Sequence, residues 1–226
     1  MQIVVVYVFP LGVAGKYHDM AVRFLDTYHQ HPPGMTHDTV IVCNGAPLTD
    51  EIRWMFDALP GIIYLEHDNS GFDVGAYQRA AREIPCDLMV FFGGSTYLRG
   101  PNWLQRMVGA YQAHGDAQYG TMGNVGQRHA NVSPHIRTTA FWMPPHLMNS
   151  YPTVITKPEQ RYGFEHGRNC FTSWVSTQGL KSWVVNWSRE YEWPNWNDSP
   201  NGFHRGNQSD LIAGDRLTMP PYYPTP

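Results

Sequence analysis

Cysteine and concentrated charge are both scarce in this chain of 226 residues. The three cysteines, Cys43, Cys86 and Cys170, lie far apart and form no Cys-x-x-Cys pair, so their spacing indicates neither a disulfide framework nor a thiolate metal site. The 16 basic and 19 acidic residues form no run of one sign. Without a basic patch, the sequence predicts no nucleic-acid partner and no binding to an anionic membrane.

The chain also lacks a long apolar run and a phosphate-loop motif. Its opening segment, MQIVVVYVFP, is too short to span a bilayer and carries no basic residue, so we expect a cytoplasmic protein without a transmembrane segment. In the next segment, Pro10 stands where the motif GxxxxGK[ST] needs its first glycine, and Tyr17 stands where it needs serine or threonine. This excludes an ATPase of the phosphate-loop class.

The first half of the chain alternates apolar strands with amphipathic helices. The pattern predicts strands over 3–8, 39–43, 62–65 and 87–92, and helices over 16–30, 47–58 and 73–84, with a further helix between Pro101 and Gly115. Because the connections are short, this order fits right-handed crossovers in a mostly parallel sheet flanked by helices. We predict a single α/β domain with a Rossmann-like architecture, in which residues 1–115 form a nucleotide-binding half.

The second half, residues 116–226, is less regular. Strands are expected over 119–124, 136–143 and 181–187, and a helix within 161–178. The segment from Ser188 onward is rich in Pro, Asn, Gly and aromatic residues, which predicts loops rather than sheet.

Two polar loops are expected to share one crevice. The loop DNSGFDVG, which contains Asn69, Gly71, Asp73 and Gly75, precedes a helix, and Gly93-Gly94-Ser95 follows a strand that is apolar on both faces. In open α/β sheets, ligands bind beyond the carboxyl ends of the strands. A helix N-terminus in that position would suit a phosphate or a sugar.

The order of these motifs resembles the GT-A fold of nucleotide-sugar glycosyltransferases, especially the family 2 and rhamnan synthesis protein F types. The resemblance is carried by Phe9-Pro10, Asn44, Asn69-Ser70-Gly71, the segment DLMVFF followed by PNWL, the strand RTTAFWM, Glu165 in YGFEHGRN, and His204 in HRGNQSD. It implies a nucleoside-diphosphate sugar as donor substrate, residues 1–115 as the half that binds it, and residues 116–226 as the acceptor side with an aromatic-rich tail. The implied donor-binding residues are Phe9, Pro10, Asn44, Asn69, Gly71, Asp73, Gly75, Gly93, Gly94, Ser95 and His204.

The chain departs from that family at the metal site. The family has an Asp-x-Asp turn that holds Mn²⁺ or Mg²⁺, whereas this chain has Gly93-Gly94-Ser95, which lacks the carboxylate oxygens that a hard divalent ion prefers. The sequence therefore identifies no metal ligands. Without a metal, the diphosphate would be stabilised by backbone amides, by a helix N-terminus, or by cations such as Arg99, Arg205 or His204.

An inverting sugar transfer needs one carboxylate to accept the proton of the acceptor hydroxyl. We expect Glu165, described in the family as opening a helix, to be this base, with Asp73 as second candidate; each could equally cap a helix. His204 is expected to contact the diphosphate or a metal, or to be a solvated loop residue. Trp193 and Trp196, set among Pro and Asn, are candidates for a platform on which an acceptor sugar stacks.

Two other classes of function stay open. One is a non-catalytic module that binds a nucleotide sugar or a glycan on a decayed transferase fold. The other is a different α/β enzyme, such as a nucleotidyltransferase that acts on sugar phosphates, although its glycine-rich basic signature after the first strand is missing. The base, the sugar, the acceptor, the stereochemical outcome and the oligomeric state are not defined by the sequence.

Overall fold

The computed structural model describes residues 1–10, 15–125, 132–203 and 206–218. In the first half of the chain, every predicted strand and helix is present. The strands are β1 (Ile3–Pro10), β2 (Asp38–Asn44), β3 (Ile62–His67) and β4 (Leu88–Phe92). The helices are α1 (Lys16–Gln30), α2 (Asp50–Phe56), α3 (Phe72–Glu83) and α4 (Trp103–His114).

The second half adds shorter elements around the same sheet. The remaining strands are β5 (Tyr97–Leu98), β6 (Ala117–Gly120), β7 (Gly123–Asn124), β8 (His135–Ile136), β9 (Ala140–Met143), β10 (Lys181–Val185), β11 (Glu190–Glu192) and β12 (Ala213–Gly214). The remaining helices are α5 (Pro145–Ser150), α6 (Pro158–Glu165), α7 (Phe171–Thr177) and a 3₁₀ turn at Asn195–Asp198.

Eight strands form one continuous sheet in the order β11-β10-β6-β9-β4-β1-β2-β3. The pairs β1/β2, β1/β4, β2/β3 and β6/β10 are parallel, while β9 runs antiparallel to both of its neighbours, and so does β11 to β10. The prediction of a mostly parallel sheet flanked by helices is therefore confirmed. The carboxyl ends of β1, β2, β3 and β4 meet at one edge, as right-handed crossovers require.

Apolar cores lie on both faces of this sheet. One contains side chains of α1 and α4, such as Phe24 and Trp103, and the other contains side chains of α3, α6 and α7, such as Tyr77, Phe164 and Phe171. Because strand β1 is covered on both faces, its residues from Ile3 to Phe9 are all buried. No described helix is both long and apolar enough to cross a lipid bilayer.

The structure corrects the predicted second half. The strands expected over 119–124 and 136–143 are each interrupted, the first as β6 and β7 and the second as β8 and β9. The expected helix within 161–178 is two helices, and Glu165 ends α6 rather than opening a helix. The break follows because the amides of His166 and Gly167 both bond to the carbonyl of Tyr162, which turns the chain out of the helix. The tail, predicted as loop, also contributes β11, β12 and the 3₁₀ turn.

Candidate functional site

An open cleft of about 500 Å³ lies at the carboxyl edge of the sheet. Strands β1, β2 and β4 end at it with Pro10, Asn44 and Gly93, and the loop before α3 supplies Asn69. The two loops that the sequence analysis placed in one crevice therefore do share it. The predicted site residues that line this cleft are Pro10, Asn44, Asn69, Asp73, Gly93, Gly94, Ser95 and Glu165.

An amide network fixes the cleft beside the ends of β2 and β3. The Asn44 side-chain amide donates to Asn69 Oδ1 at 2.8 Å, and His67 Nδ1 lies 2.7 Å from Asn44 Oδ1. Asn69 has a positive φ of 66°, a conformation that asparagine adopts more readily than most residues. These hydrogen bonds hold the loop against the ends of β2 and β3, so the polar wall of the cleft is preorganised.

The turn Gly93-Gly94-Ser95 is packed too closely for larger residues. A Cβ added to Gly94 would lie 2.7 Å from Pro10 Cδ and 3.1 Å from the Val8 carbonyl oxygen. The Tyr7 hydroxyl donates to the Gly94 carbonyl at 3.0 Å, and the Gly93 amide donates to the Thr139 carbonyl at 2.9 Å. Close packing, as well as any approach of a phosphate, therefore accounts for glycine in this turn.

The cleft residues do not fit the divalent metal that the GT-A resemblance implies. The turn itself offers no carboxylate, and the nearby carboxylate of Asp215 is already paired with Arg137 at 2.9 Å. Within the described ranges, His, Cys, Asp and Glu form no group of three or more placed to hold a metal ion.

A pair of carboxylates, Asp73 and Glu165, faces the cleft from two different helices. Both oxygens of Glu165 are engaged, since Oε1 accepts from the Thr138 hydroxyl at 2.5 Å and Oε2 accepts from Arg161 Nε at 2.7 Å. Asp73 accepts one bond, through Oδ1, from the Val74 amide at 3.1 Å. Neither carboxylate is a helix cap, because α3 is capped by Gly71 and Glu165 is the last residue of α6.

The environment raises the pKa of the Asp73 carboxyl from 3.8 to about 6. Burial is the main cause, and the negative charge of Glu165 is the second; the positive charge of Arg161 opposes them. Although burial disfavours the charged guanidinium, the two carboxylates raise the pKa of Arg161. The cleft thus contains a carboxylate that titrates close to neutral pH.

Basic side chains of the second half also line the cleft, and the sequence analysis did not identify them. Arg137 is largely buried, pairs with Asp215 and lies 4.0 Å from the centre of the Phe203 ring. Burial lowers its pKa, and the charge of the nearby Arg216 adds to this effect. Arg216 is exposed at the cleft wall. Arg137 lies within the strand predicted over 136–143, but in the structure it falls between β8 and β9.

Two histidines stand beside the carboxylate pair. His135 and His166 both line the cleft, and their ring centres are 5.5 Å apart. Burial lowers the pKa of His135 to about 4 and also lowers that of His166. Both rings are therefore neutral at physiological pH and serve as polar walls rather than as cations.

Three predicted donor-binding residues do not line the cleft. The Phe9 ring is buried in the core against Phe56, because its strand position points it away from the site. Gly71 and Gly75 instead allow close packing, since a Cβ at either position would collide with the backbone carbonyl of Ile155 or Ser70. Phe9 therefore supports strand β1, and Gly71 and Gly75 support the loop, without lining the cleft.

The predicted aromatic platform is also corrected. Trp196 is 1% exposed and belongs to the core, where it packs against Gly123. Trp193 is 37% exposed, yet it stacks edge-on against Trp196 and is not part of the cleft wall. Arg99 donates to the Gln208 carbonyl and does not line the cleft either. His204 and Arg205 lie outside the described residues.

No protein-family model and no curated protein sequence matches the chain. Several solved structures are similar to it in fold. A putative glucose-1-phosphate thymidylyltransferase from Bacillus anthracis, in complex with a sucrose, is 12% identical, with a TM-score of 0.58 over 96% of this chain and 91% of that one. HddC from Yersinia pseudotuberculosis is 12% identical, with a TM-score of 0.47 over 74% and 88% of the two chains. TarS from S. aureus, in complex with UDP-GlcNAc, is 13% identical, with a TM-score of 0.46 over 66% and 46%.

At these identities the similarity establishes the fold alone. The chain has a single-domain, mostly parallel α/β fold of the Rossmann-like type, which it shares with the thymidylyltransferase over nearly its whole length.

Proposed function

We propose that this protein transfers a sugar from a nucleoside-diphosphate sugar to a carbohydrate acceptor, with inversion at the anomeric carbon. The observation that carries the proposal is the carboxylate pair Asp73 and Glu165, which lies in the same cleft as the polar strand ends and three arginines of the second half, Arg137, Arg161 and Arg216. A cleft of about 500 Å³ is large enough for a nucleotide sugar.

The donor would lie along the strand ends. Asn44 and Asn69 present amide groups suited to the nucleoside, and the turn at Gly93-Gly94-Ser95 borders the position proposed for the diphosphate. Arg137 and Arg216 also line the cleft; Arg137 is already paired with Asp215, so the exposed Arg216 would contribute most of the charge that balances the leaving diphosphate. The cations replace, in this proposal, the metal ion for which the turn has no ligands.

Asp73 is the better candidate for the base. Both oxygens of Glu165 are engaged, by Thr138 and Arg161, whereas Asp73 accepts one bond, from the Val74 amide. Asp73 has the raised pKa, which makes its ionised form more basic while leaving it deprotonated above about pH 6. This reverses the order of preference expected from the sequence, in which Glu165 came first.

In the proposed step, the acceptor oxygen attacks the anomeric carbon of the donor sugar. The new C–O bond forms as the bond to the diphosphate oxygen breaks, and the electron pair leaves with the diphosphate. The acceptor proton moves to the Asp73 carboxylate. Glu165 keeps the pKa of Asp73 high and orients Arg161, so it acts as a positioning residue.

The proposal is tested by incubating the protein with a panel of nucleoside-diphosphate sugars and mixed oligosaccharide acceptors, and measuring release of nucleoside diphosphate. Acceptor-dependent release that is lost in Asp73→Asn is expected. Nucleotide binding without release across the whole panel would instead identify a non-catalytic binding module. A parallel assay with nucleoside triphosphates and sugar 1-phosphates covers the third class, because a nucleotidyltransferase would release pyrophosphate.

A further inference from the structure

An aromatic residue that the sequence analysis passed over stands at the mouth of the cleft. Phe72, the first residue of α3, lines the cleft and is 37% exposed. It belongs to neither apolar core. The Arg161 guanidinium lies 5.6 Å from the centre of the Phe72 ring. Asp73 is the next residue in the chain.

The backbone of Phe72 is in an unfavourable conformation. Its φ is 56°, in the left-handed region that a bulky side chain rarely adopts, and the preceding Gly71 is left-handed as well. Glycine or asparagine would occupy this position with less strain. Because the ring adds nothing to either core, packing does not compensate for the strain, and such strain is concentrated at functional sites.

The position of the ring distinguishes between the possible ligands. The nucleoside is proposed to lie against Asn44 and Asn69, deeper along the strand ends, whereas the acceptor hydroxyl must reach the Asp73 carboxylate. The exposed ring of Phe72 is the neighbour of that carboxylate in the chain and faces open solvent at the cleft mouth. The ring is therefore accessible to an acceptor that enters the cleft from solvent.

We propose that Phe72 is the platform of the acceptor subsite, and that a hexopyranose packs the apolar C–H face of its ring on the Phe72 side chain. Sugar rings present such faces, and aromatic planes are their usual partners. The inference rests on the proposed function, since it assigns the acceptor of that reaction to this wall. It replaces the platform expected at Trp193 and Trp196.

The test uses ligand-observed saturation-transfer NMR with methyl glucopyranosides, galactopyranosides and mannopyranosides as probes of the full chain. Phe72→Ala should reduce binding of the preferred methyl glycoside at least tenfold, while Phe72→Tyr, which keeps the flat ring, should retain it. Trp54→Ala is the matched control, because Trp54 is an aromatic residue that is 79% exposed outside the cleft wall.

Phe72→Gly separates a binding role from a structural one. Glycine relieves the left-handed strain, so the variant should unfold at a higher temperature than the wild type and still lose the methyl glycoside. A lower unfolding temperature with unchanged sugar binding would show that the ring supports the fold, and would overturn the inference.

Two further results would overturn the inference: sugar binding by Phe72→Ala within twofold of the wild type, or no binding of any probe by the wild type. Titration of the same variants with nucleoside diphosphates distinguishes a failure of this inference from a failure of the proposed function. If the wild type binds a nucleoside diphosphate and sugar binding does not depend on Phe72, the acceptor subsite is wrong and the donor site stands. If no nucleoside diphosphate binds, the proposed function fails.

Discussion

Residues 1–115 reach the cleft through strand ends and amide side chains, whereas the described residues from 132 onward reach it through arginines, histidines and two carboxylates. In the first region, Asn44 is hydrogen-bonded to Asn69, and Gly94 packs closely against Pro10. In the second region, Arg137 is paired with Asp215 and Arg161 with Glu165. The first region provides shape and the second provides charge.

Asp73 is where the two regions meet. It lies on α3, within the first region. Its pKa is raised mainly by burial and further by the negative charge of Glu165, while the positive charge of Arg161 opposes the rise. Both Glu165 and Arg161 lie on α6, in the second region. A carboxylate on one region is therefore tuned by charges on the other. Because of this difference, we expect that substitutions can change donor binding and the chemical step separately.

The largest effect is expected for Asp73→Asn. Loss of the base should lower kcat by about 10²- to 10⁴-fold while leaving nucleoside diphosphate affinity within about threefold, as expected for a general base. Steady-state kinetics and calorimetric titration of the same preparation check both values. Loss of donor affinity with normal turnover at saturation would assign Asp73 to donor binding instead.

The same variant should be more stable than the wild type. In the unfolded chain the pKa of Asp73 is near 3.8, and in the folded protein it is about 6, so the folded state loses stability as pH rises from about 4 to about 6. Removing this charge should raise the free energy of unfolding at pH 7.5 by roughly 1 to 3 kcal/mol. Urea denaturation at pH 7.5 measures it, and a destabilised variant would contradict the raised pKa.

A smaller loss of activity is expected for Glu165→Gln. The wild-type kcat/KM should fall below about pH 6, where Asp73 becomes protonated. Without the Glu165 charge, the pKa of Asp73 falls and Arg161 is free to pair with it, so the acid limb should move to lower pH while activity drops about 10- to 100-fold. An unmoved limb, or complete loss of activity, would restore Glu165 as the base.

Arg216→Ala tests the charge of the second region by itself. Removing one exposed cation from the cleft should weaken nucleoside diphosphate binding by about tenfold, equivalent to roughly 1.4 kcal/mol, and should weaken nucleoside binding much less. Arg189→Ala, which removes an exposed arginine outside this cleft, is the control. Equal losses for nucleoside and nucleoside diphosphate would place Arg216 away from the diphosphate.

The smallest effects are expected in the turn that gives the first region its shape. Gly94→Ala forces a Cβ against Pro10 and the Val8 carbonyl, and should destabilise the protein by roughly 1 to 3 kcal/mol. Gly93→Ala should cost less, because its nearest contact would be the Tyr77 hydroxyl at 3.2 Å, which is longer than the 2.7 Å contact with Pro10 at Gly94. Thermal unfolding of the two variants ranks them, and equal values would show that the Gly94 contact is not limiting.

The sequence predicted the regular first region well because its information is local. Apolar periodicity and short connections specify β1 to β4 and their helices, and the shared edge of parallel strands follows from topology. These features predict that the loops containing Asn69, Asp73 and Gly93 share one cleft, and the resemblance adds Asn44 to it.

The rest depends on contacts between distant residues or on backbone conformation. The pairing of Arg137 with Asp215 joins positions 78 residues apart, and no pattern marks it in advance. Trp196 is surrounded by Pro and Asn, so the sequence predicts a loop residue, yet its side chain is buried in the core. Phe72 was missed because its left-handed backbone exposes a ring that helical periodicity would turn elsewhere.

The most direct test of the cleft as a donor site is calorimetric titration of the wild-type protein with uridine, cytidine, adenosine, guanosine and thymidine diphosphates, first with Mn²⁺ and then with excess chelator. One nucleoside diphosphate should bind at one site per chain, and its affinity should survive the chelator within about threefold, which is less than 1 kcal/mol. If no nucleoside diphosphate of the panel binds, the proposed donor site is wrong. If binding disappears with the chelator, a metal ion rather than arginine balances the charge of the diphosphate.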